Sequence, residues 1–171
     1  MMPVPWCIGV MSPVQATLLI GFFAAVIAVW GVITQRAIAR RRATLDYISR
    51  TESDGDLIFA QRKFIELATS EGGLGPWADI GSGTEVQCIR LVLNDLELVS
   101  IGIQRGIIDY ELYRRWRRSG VIRYWNYSAP FITRLRAKLQ NEAIYHEFEQ
   151  MVWWMRGTQP PRRRRWLSYW F

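Results

Sequence analysis

A stretch of twenty residues without one charged side chain, from Val14 to Ile33, constrains this chain more than any other feature. An α-helix rises about 1.5 Å per residue, so about 20 apolar residues cross the ~30 Å hydrocarbon core of a bilayer. A cleaved signal peptide begins with basic residues and has a shorter apolar region. Here no Lys or Arg precedes Arg36. The pattern therefore predicts an uncleaved transmembrane helix over residues 13–35.

The arginines that follow this segment indicate its orientation, because basic residues stay on the cytoplasmic side. The sequence predicts a single-pass protein of the bacterial inner membrane. Residues 1–12 would form a short extracytoplasmic N-terminus and residues 36–157 a cytoplasmic domain. Indole rings favour the membrane–water interface, and arginines favour anionic head groups. We therefore expect contacts with membrane lipids from Trp6, Trp30, Arg36, Arg40, Arg41, Arg42, Arg162, Arg163, Arg164, Arg165, Trp166 and Trp170.

The formal charge of +7 is concentrated at two edges of the chain. Residues 36–42 and 162–165 each contribute +4, whereas residues 43–161 carry 14 basic and 15 acidic side chains, a net charge of −1. A nucleic-acid-binding domain spreads its basic residues over a folded face, so we expect no nucleic-acid partner. One His and two distant Cys cannot build an ordinary zinc site. No cofactor is expected.

Helical spacing recurs throughout the predicted cytoplasmic part, whereas the alternation typical of strands is almost absent. The sequence predicts an all-α fold, with one N-terminal transmembrane helix followed by a small cytoplasmic helical bundle. The first helix is expected to continue past the membrane as far as "TESDGD". Asp54 or Asp56 would then cap the second helix. The glycine-rich "EGGLGPWADIGSG" lacks the Lys-Ser/Thr of a phosphate-binding loop and is interpreted as a plain loop.

Two further helices are expected beyond Gly106. The first would be capped by Asp109 and would run to about Tyr127, because Pro130 forces a boundary. The last helix would bend or break near Asn141. The inward face of the first is expected to carry Leu112, Trp116 and Ile122, and its outward face Arg114, Arg117 and Arg118.

The helix expected from Thr84 to Arg105 is the most informative. Its apolar residues occupy almost every side, which is typical of a buried helix. Arg90, Asn94 and Glu97 project within about 60° of each other, whereas Asp95 points elsewhere. A lone buried carboxylate is costly, so Asp95 and Glu97 should find arginines or backbone donors. The predicted buried polar network consists of Arg90, Asn94, Asp95, Glu97, Arg123, Arg134 and Arg136.

Two interpretations of this network stay open. It can be a structural salt-bridge network that fixes helix packing, or a pocket that binds a small anionic or polar ligand through arginines. Nothing in it is spaced like a nucleophile–base pair. A second cluster, His146 with Glu147 and Glu149, is expected to form local pairs on a helix surface. As a catalytic site it would need a carboxylate from elsewhere. We therefore expect no enzymatic activity.

The C-terminal tail, residues 158–171, combines four arginines with aromatic side chains. This combination suits an anionic membrane surface. It also suits RNA, through base stacking and phosphate contact, or the surface of a partner protein. A solvated, disordered tail is the remaining interpretation. The membrane interpretation is preferred because the predicted anchor already places the chain there.

Four stretches carry a resemblance to a known family: "RRATLDYI", "LVLNDLELVSIGIQRGIID", "YRRWRRSGVIRYWNYSAPFI" and "YHEFEQMVWW". Together they resemble a family of small bacterial and phage-associated proteins catalogued as a domain of unknown function, DUF4760. The resemblance covers about residues 40–155 and leaves out the first 35 residues. It implies one N-terminal membrane helix followed by a helical domain. It implies no activity, cofactor or catalytic residue.

The leading functional hypothesis is a membrane-anchored helical interaction or adaptor protein, a subunit or accessory component of a membrane protein complex. Its partners would be lipids and a membrane protein. The alternative is a ligand-sensing or effector protein of a phage-related system that uses a polar pocket around Asn94 and Glu97.

Overall fold

The computed structural model describes residues 13–158, which fold into α-helices and one short 3-10 helix, with no strand among them. This confirms the all-α prediction. The chain divides into two compact units, one up to Ala39 and one from Arg40 onward. The helices are α1 (Pro13–Ser53), α2 (Gly55–Thr69), α3 (Thr84–Gln104), α4 (Tyr110–Leu139) and α5 (His146–Arg156), and the 3-10 helix is Gly75–Ala78.

The described residues of the first unit, 13–39, are the apolar part of α1. Its most apolar 18-residue window has none of its residues buried. Leu18, Phe22 and Trp30 are typical, with 64–70% of each side chain exposed. Within residues 13–158, α1 is the one helix that is long and apolar enough to cross a membrane. As expected, it continues without interruption beyond the apolar segment as far as Ser53.

In the second unit, α2 begins at a cap that the sequence predicts. The Asp54 carboxylate accepts hydrogen bonds from the backbone N–H groups of Asp56 and Leu57, both at 3.1 Å. Such a cap satisfies donors that the first helical turn leaves unpaired. Helix α2 then packs along α3, which contributes the buried free thiol of Cys88 to the core. The buried side chains of α2 are Leu57, Ala60, Phe64 and Leu67.

The turn after α3 is a Schellman motif. Gly106 adopts a positive φ of 66°, and its N–H donates to the carbonyl of Ile103 at 3.0 Å. The N–H of Ile107 donates to the carbonyl of Gly102 at 2.9 Å. An apolar residue at the position of Ile107 usually packs back onto the helix. Here the side chain of Ile108 covers Gly102, and Ile107 is left 58% exposed.

Helix α4 runs through Pro130, so the predicted boundary before that residue is wrong. A proline inside a helix costs about 3 kcal/mol. Its neighbours Phe131 and Ile132 are 0% and 1% exposed, and burying each side chain contributes about 1.5–3 kcal/mol. Continuing the helix keeps both in the core, which offsets that cost. Helix α4 ends at Leu139 instead, and the connection 140–145 confirms the break expected near Asn141.

Arg117 does not face outward as expected. Its guanidinium lies 4.8 Å from the ring centroid of Trp116 and donates to Oε1 of Gln61 at 3.1 Å. The planar, weakly hydrated guanidinium tolerates such half-buried positions against aromatic rings. Arg114 and Arg118 are exposed, as the helical spacing predicts.

The part of α1 that belongs to the second unit lies beside the first turns of α4. The contacts, in chain order, join Thr44 to Asp109, Tyr47 to Tyr113, and Glu52 to Arg117. Because the residue numbers increase together, the two segments run in the same direction. Their N-terminal ends therefore lie at the same end of the second unit.

Helix α3 is not buried on all sides, contrary to its nearly continuous apolar pattern. Ile89 and Leu93 are fully buried, but Leu91, Leu98 and Ile101 are 43%, 66% and 39% exposed. Helices α2 and α5 pack against other sides of α3. We call these three exposed side chains the α3 strip.

Candidate functional site

Two of the three polar side chains predicted to share one side of α3, Asn94 and Glu97, meet the start of α5. Oε2 of Glu97 accepts a hydrogen bond from the N–H of Phe148 at 2.7 Å, and Oε1 accepts one from the N–H of Glu147 at 3.2 Å. The residue in the N-cap position of α5, Tyr145, has a left-handed backbone and makes no capping bond with its own side chain. Glu97 therefore caps α5 from another helix, which confirms the expected backbone donors.

Two other members of the predicted network hold the same region. Asn94 accepts a hydrogen bond from the hydroxyl of Tyr145 at 3.1 Å. Arg136 donates through Nε to the carbonyl of Ile144 at 2.9 Å, and its Nη1 pairs with Glu149 at 2.9 Å. Asn94, Glu97 and Arg136 thus surround the N-terminus of α5. We call them the α5 clamp.

Asp95 belongs to a different contact. Its Oδ2 accepts a hydrogen bond from the hydroxyl of Tyr47 at 2.8 Å, which joins α3 to α1. Burial raises the pKa of Asp95, and the hydrogen bond from Tyr47 opposes that shift. Burial likewise raises the pKa of Glu97, against the two backbone N–H groups that stabilise its charged form. Both carboxylates are therefore partly desolvated groups with structural partners.

The rest of the predicted network lies apart, so the single buried network is corrected to separate contacts. Arg134 pairs with Asp79 at 3.7 Å, and Arg123 is exposed on α4. Arg90 is exposed and lies close enough to Tyr145 for its charge to oppose the burial that raises the pKa of that hydroxyl. Among residues 13–158, no arginine forms an ion pair with Asp95 or Glu97.

The side chains of "YHEFE" are engaged in local and packing contacts. The amide of Gln150 donates to Nε2 of His146 at 2.6 Å, Glu147 accepts from the amide of Gln104, and Glu149 pairs with Arg136. Within the described part of the chain, no three His, Cys, Asp or Glu side chains are grouped so as to hold a metal ion.

The predicted membrane-interface residues are described only in part. Trp30, Arg36 and Arg42 are exposed, and Arg40 is half-buried. Arg41 lies 3.9 Å from the carboxylate of Asp109 and keeps 71% of its side chain exposed. The others lie outside the described residues: Trp6, Arg162, Arg163, Arg164, Arg165, Trp166 and Trp170.

The sequence did not predict two features of the structure, the α3 strip and the contact of Tyr47 with Asp95. The α3 strip was concealed because apolar residues cover nearly every side of that helix. Its spacing was nevertheless visible, since Leu91 and Leu98 are seven residues apart and Ile101 follows three later, on one helical face. The partnership of Tyr47 with Asp95 joins residues 48 positions apart, and no local pattern indicates it.

These features define a class of protein with a small all-α domain. The first helix of that domain continues into an apolar segment long enough to span a membrane. The chain belongs to the family described as a domain of unknown function (DUF4760), whose model matches residues 18–153. The match begins inside the apolar helix, so the expectation that the first 35 residues lie wholly outside the family was wrong. No curated protein and no solved structure matches the chain.

Proposed function

We propose that this protein is a membrane-anchored interaction or adaptor module, an accessory subunit of a membrane protein complex. It works without catalysis. The observation that carries the proposal is the α3 strip, three large apolar side chains left exposed on a folded unit whose chain continues into an apolar helix.

The anchor follows from the chemistry of α1. Its apolar segment has no buried residues to explain its composition, and hydrocarbon is the environment in which such a surface is stable. Arg36 and the arginines at 40–42 directly follow it. The positive-inside rule favours a domain in the cytoplasm of a bacterial cell, with the N-terminus outside.

The α3 strip supplies the contact surface for a partner. An exposed row of large apolar side chains on one helical face is typical of helix-in-groove and helix–helix recognition. The polar groups beside it have structural partners, since Asn94 and Glu97 hold the start of α5. This arrangement favours an interaction surface over a ligand pocket at those two residues.

The first experiment places a photo-crosslinking amino acid at Leu98 and, as a matched control, at Leu139. These side chains are 66% and 57% exposed. The full chain is crosslinked in native membranes, purified in mild detergent and analysed by mass spectrometry. We expect one stoichiometric membrane protein to be captured from Leu98 and not from Leu139. Leu98→Asp should weaken the complex at least tenfold, because a Leu that becomes buried on binding contributes about 1.5–3 kcal/mol and each 1.4 kcal/mol is a factor of ten. A chain that purifies alone contradicts the adaptor role and favours ligand sensing.

The orientation is tested separately with a membrane-impermeant thiol reagent on intact cells. Cys7 is predicted outside, whereas Cys88 lies in the core of the second unit. We expect Cys7 to be labelled without lysis. Labelling of Cys7 only after lysis would reverse the proposed orientation.

A further inference from the structure

We propose that one end of the second unit binds anionic phospholipid head groups. Its lipid-contacting surface consists of Ile107 together with Arg41, Arg42, Arg114 and Arg115. The inference rests on the proposed membrane anchoring and adds to it a second lipid contact, made by the folded domain itself.

The first observation is the exposed apolar tip at Ile107. The Schellman turn after α3 holds its backbone through the bond from its N–H to Gly102. Ile108, not Ile107, packs over that glycine. Ile107 therefore remains 58% exposed on a hydrogen-bonded turn. A hydrogen-bonded turn that presents one apolar side chain is suited to insertion among lipid head groups.

The second observation is the charge around this tip. Arg41 lies against Asp109, two residues from Ile107, and remains 71% exposed. Arg42, Arg114 and Arg115 are also exposed. Of the three carboxylates at this end, Asp46 is exposed, and Asp109 accepts from the N–H of Leu112 and faces Arg41. Glu111 pairs with Arg114 at 3.4 Å.

The parallel pairing of α1 and α4 brings these residues to one end. Thr44 accepts from the N–H of Asp109 at 2.8 Å, so the arginines just before Thr44 lie near the turn that precedes α4. Four arginines face three carboxylates at this end, those of Asp46, Asp109 and Glu111, so the surface is net positive, which complements phosphate-bearing head groups. The positive charge of this surface would not attract a neutral membrane surface, and it would repel a basic partner.

The covalent chain keeps this end near a membrane that holds the apolar segment. Ile33 and Arg40 are seven residues apart, and seven residues span at most about 25 Å even when fully extended. The membrane surface is therefore always at a high effective concentration for this end of the second unit.

The test uses the full chain carrying Cys7→Ser and Cys88→Ala, reconstituted into vesicles with an environment-sensitive fluorophore on one introduced cysteine. The label is placed at Ile107, at Leu139 or at Val26. Leu139 is 57% exposed, almost the same as Ile107, and lies at the other end of α4. Lipids with a nitroxide in the head group or in the acyl chain quench the fluorophore. The vesicles are phosphatidylcholine alone or with a third of phosphatidylglycerol.

We expect head-group quenching of the label at Ile107 in anionic vesicles, none above background at Leu139, and a decrease at Ile107 in neutral vesicles. Each of Arg42→Gln and Arg115→Gln should lower the ratio of docked to undocked domain about fivefold, since one basic residue near an anionic surface contributes about 1 kcal/mol.

The label at Val26 separates this inference from the proposed anchor. If Val26 is not quenched by acyl-chain nitroxides, the anchoring proposal itself fails. If Val26 is quenched while Ile107 is quenched no more than Leu139, the head-group surface is refuted and the anchor stands. Equal quenching of Ile107 in neutral and anionic vesicles also refutes it, because the arginines then have no role.

Discussion

Replacing Glu97 tests whether the α5 clamp is structural. Glu97 accepts two backbone hydrogen bonds from the first turn of α5, at 2.7 and 3.2 Å. The Glu97→Gln side chain keeps one carbonyl oxygen and places an NH₂ group opposite the second donor. One backbone N–H then loses its acceptor. Glu97→Ala removes both acceptors.

The expected magnitudes follow from the cost of losing such a cap. A helix cap contributes about 1 kcal/mol, and a hydrogen bond to a charged group about 1.5–3 kcal/mol. Removing the partly desolvated charge offsets some of the loss in Glu97→Gln. We therefore expect the free energy of unfolding to fall by about 1 kcal/mol in Glu97→Gln and by about 2 kcal/mol in Glu97→Ala.

The assay is equilibrium unfolding of the full chain in detergent micelles, followed by tryptophan fluorescence. Hydrogen exchange measured by mass spectrometry adds a local probe at the backbone amides of Glu147 and Phe148. In the Glu97 variants these amides should lose more of their protection from exchange than the rest of the second unit. Glu71→Gln, on the exposed loop after α2, is the control. The structural role is refuted if both Glu97 variants match this control in stability and exchange. A folded variant that loses activity in cells would instead identify a functional site.

Three further predictions concern stability. Burial raises the pKa of Asp95 and of Glu97, so the native state holds these protons to a higher pH than the unfolded chain. Their contribution is therefore fully present below the unfolded pKa values and is lost as the pH rises through the native ones. Unfolding curves recorded at intervals from neutral pH down to about pH 4, near the unfolded pKa values, should show this gain on acidification, and a double Asn/Gln variant of the pair should lack it. Gln140 has a φ of 47°, so Gln140→Gly should raise the melting temperature, with a gain of about 0.5–1 kcal/mol; an unchanged or lower value contradicts the left-handed cap. A Cβ on Gly102 would lie 3.0 Å from Cδ1 of Ile108, so Gly102→Ala should cost about 1–3 kcal/mol. Adding Ile108→Val, which removes that carbon, should recover part of the loss, and a second variant without recovery would show that the clash is not the cause.

Local signals made much of the fold predictable. The start of α2 follows from Asp54, whose carboxylate caps the helix only three residues ahead. The end of α3 follows from Gly106, because glycine adopts the left-handed conformation without strain. These contacts lie within a few residues of each other, so the sequence contains everything that determines them.

The features that the sequence did not predict depend on contacts between distant segments of the chain. Pro130 lies inside α4 because the core around Phe131 and Ile132 outweighs a local preference. The exposure of Leu98 depends on where α2 and α5 pack on α3, which no periodicity encodes. The sequence correctly indicated that Glu97 needs donors, but it could not assign Tyr47 to Asp95 across 48 residues.

The buried thiol of Cys88 makes the opening of the second unit measurable through its rate of chemical modification. The side chain is 6% exposed, and burial raises the pKa of the thiol, with the nearby Glu85 carboxylate adding to the shift. Because the thiolate is the reactive form, the thiol reacts slowly while α3 stays packed against its neighbours and faster when they separate. The rate at which Cys88 reacts therefore reports how often the second unit opens. It can be measured on the wild-type chain in detergent, in vesicles or in a living cell.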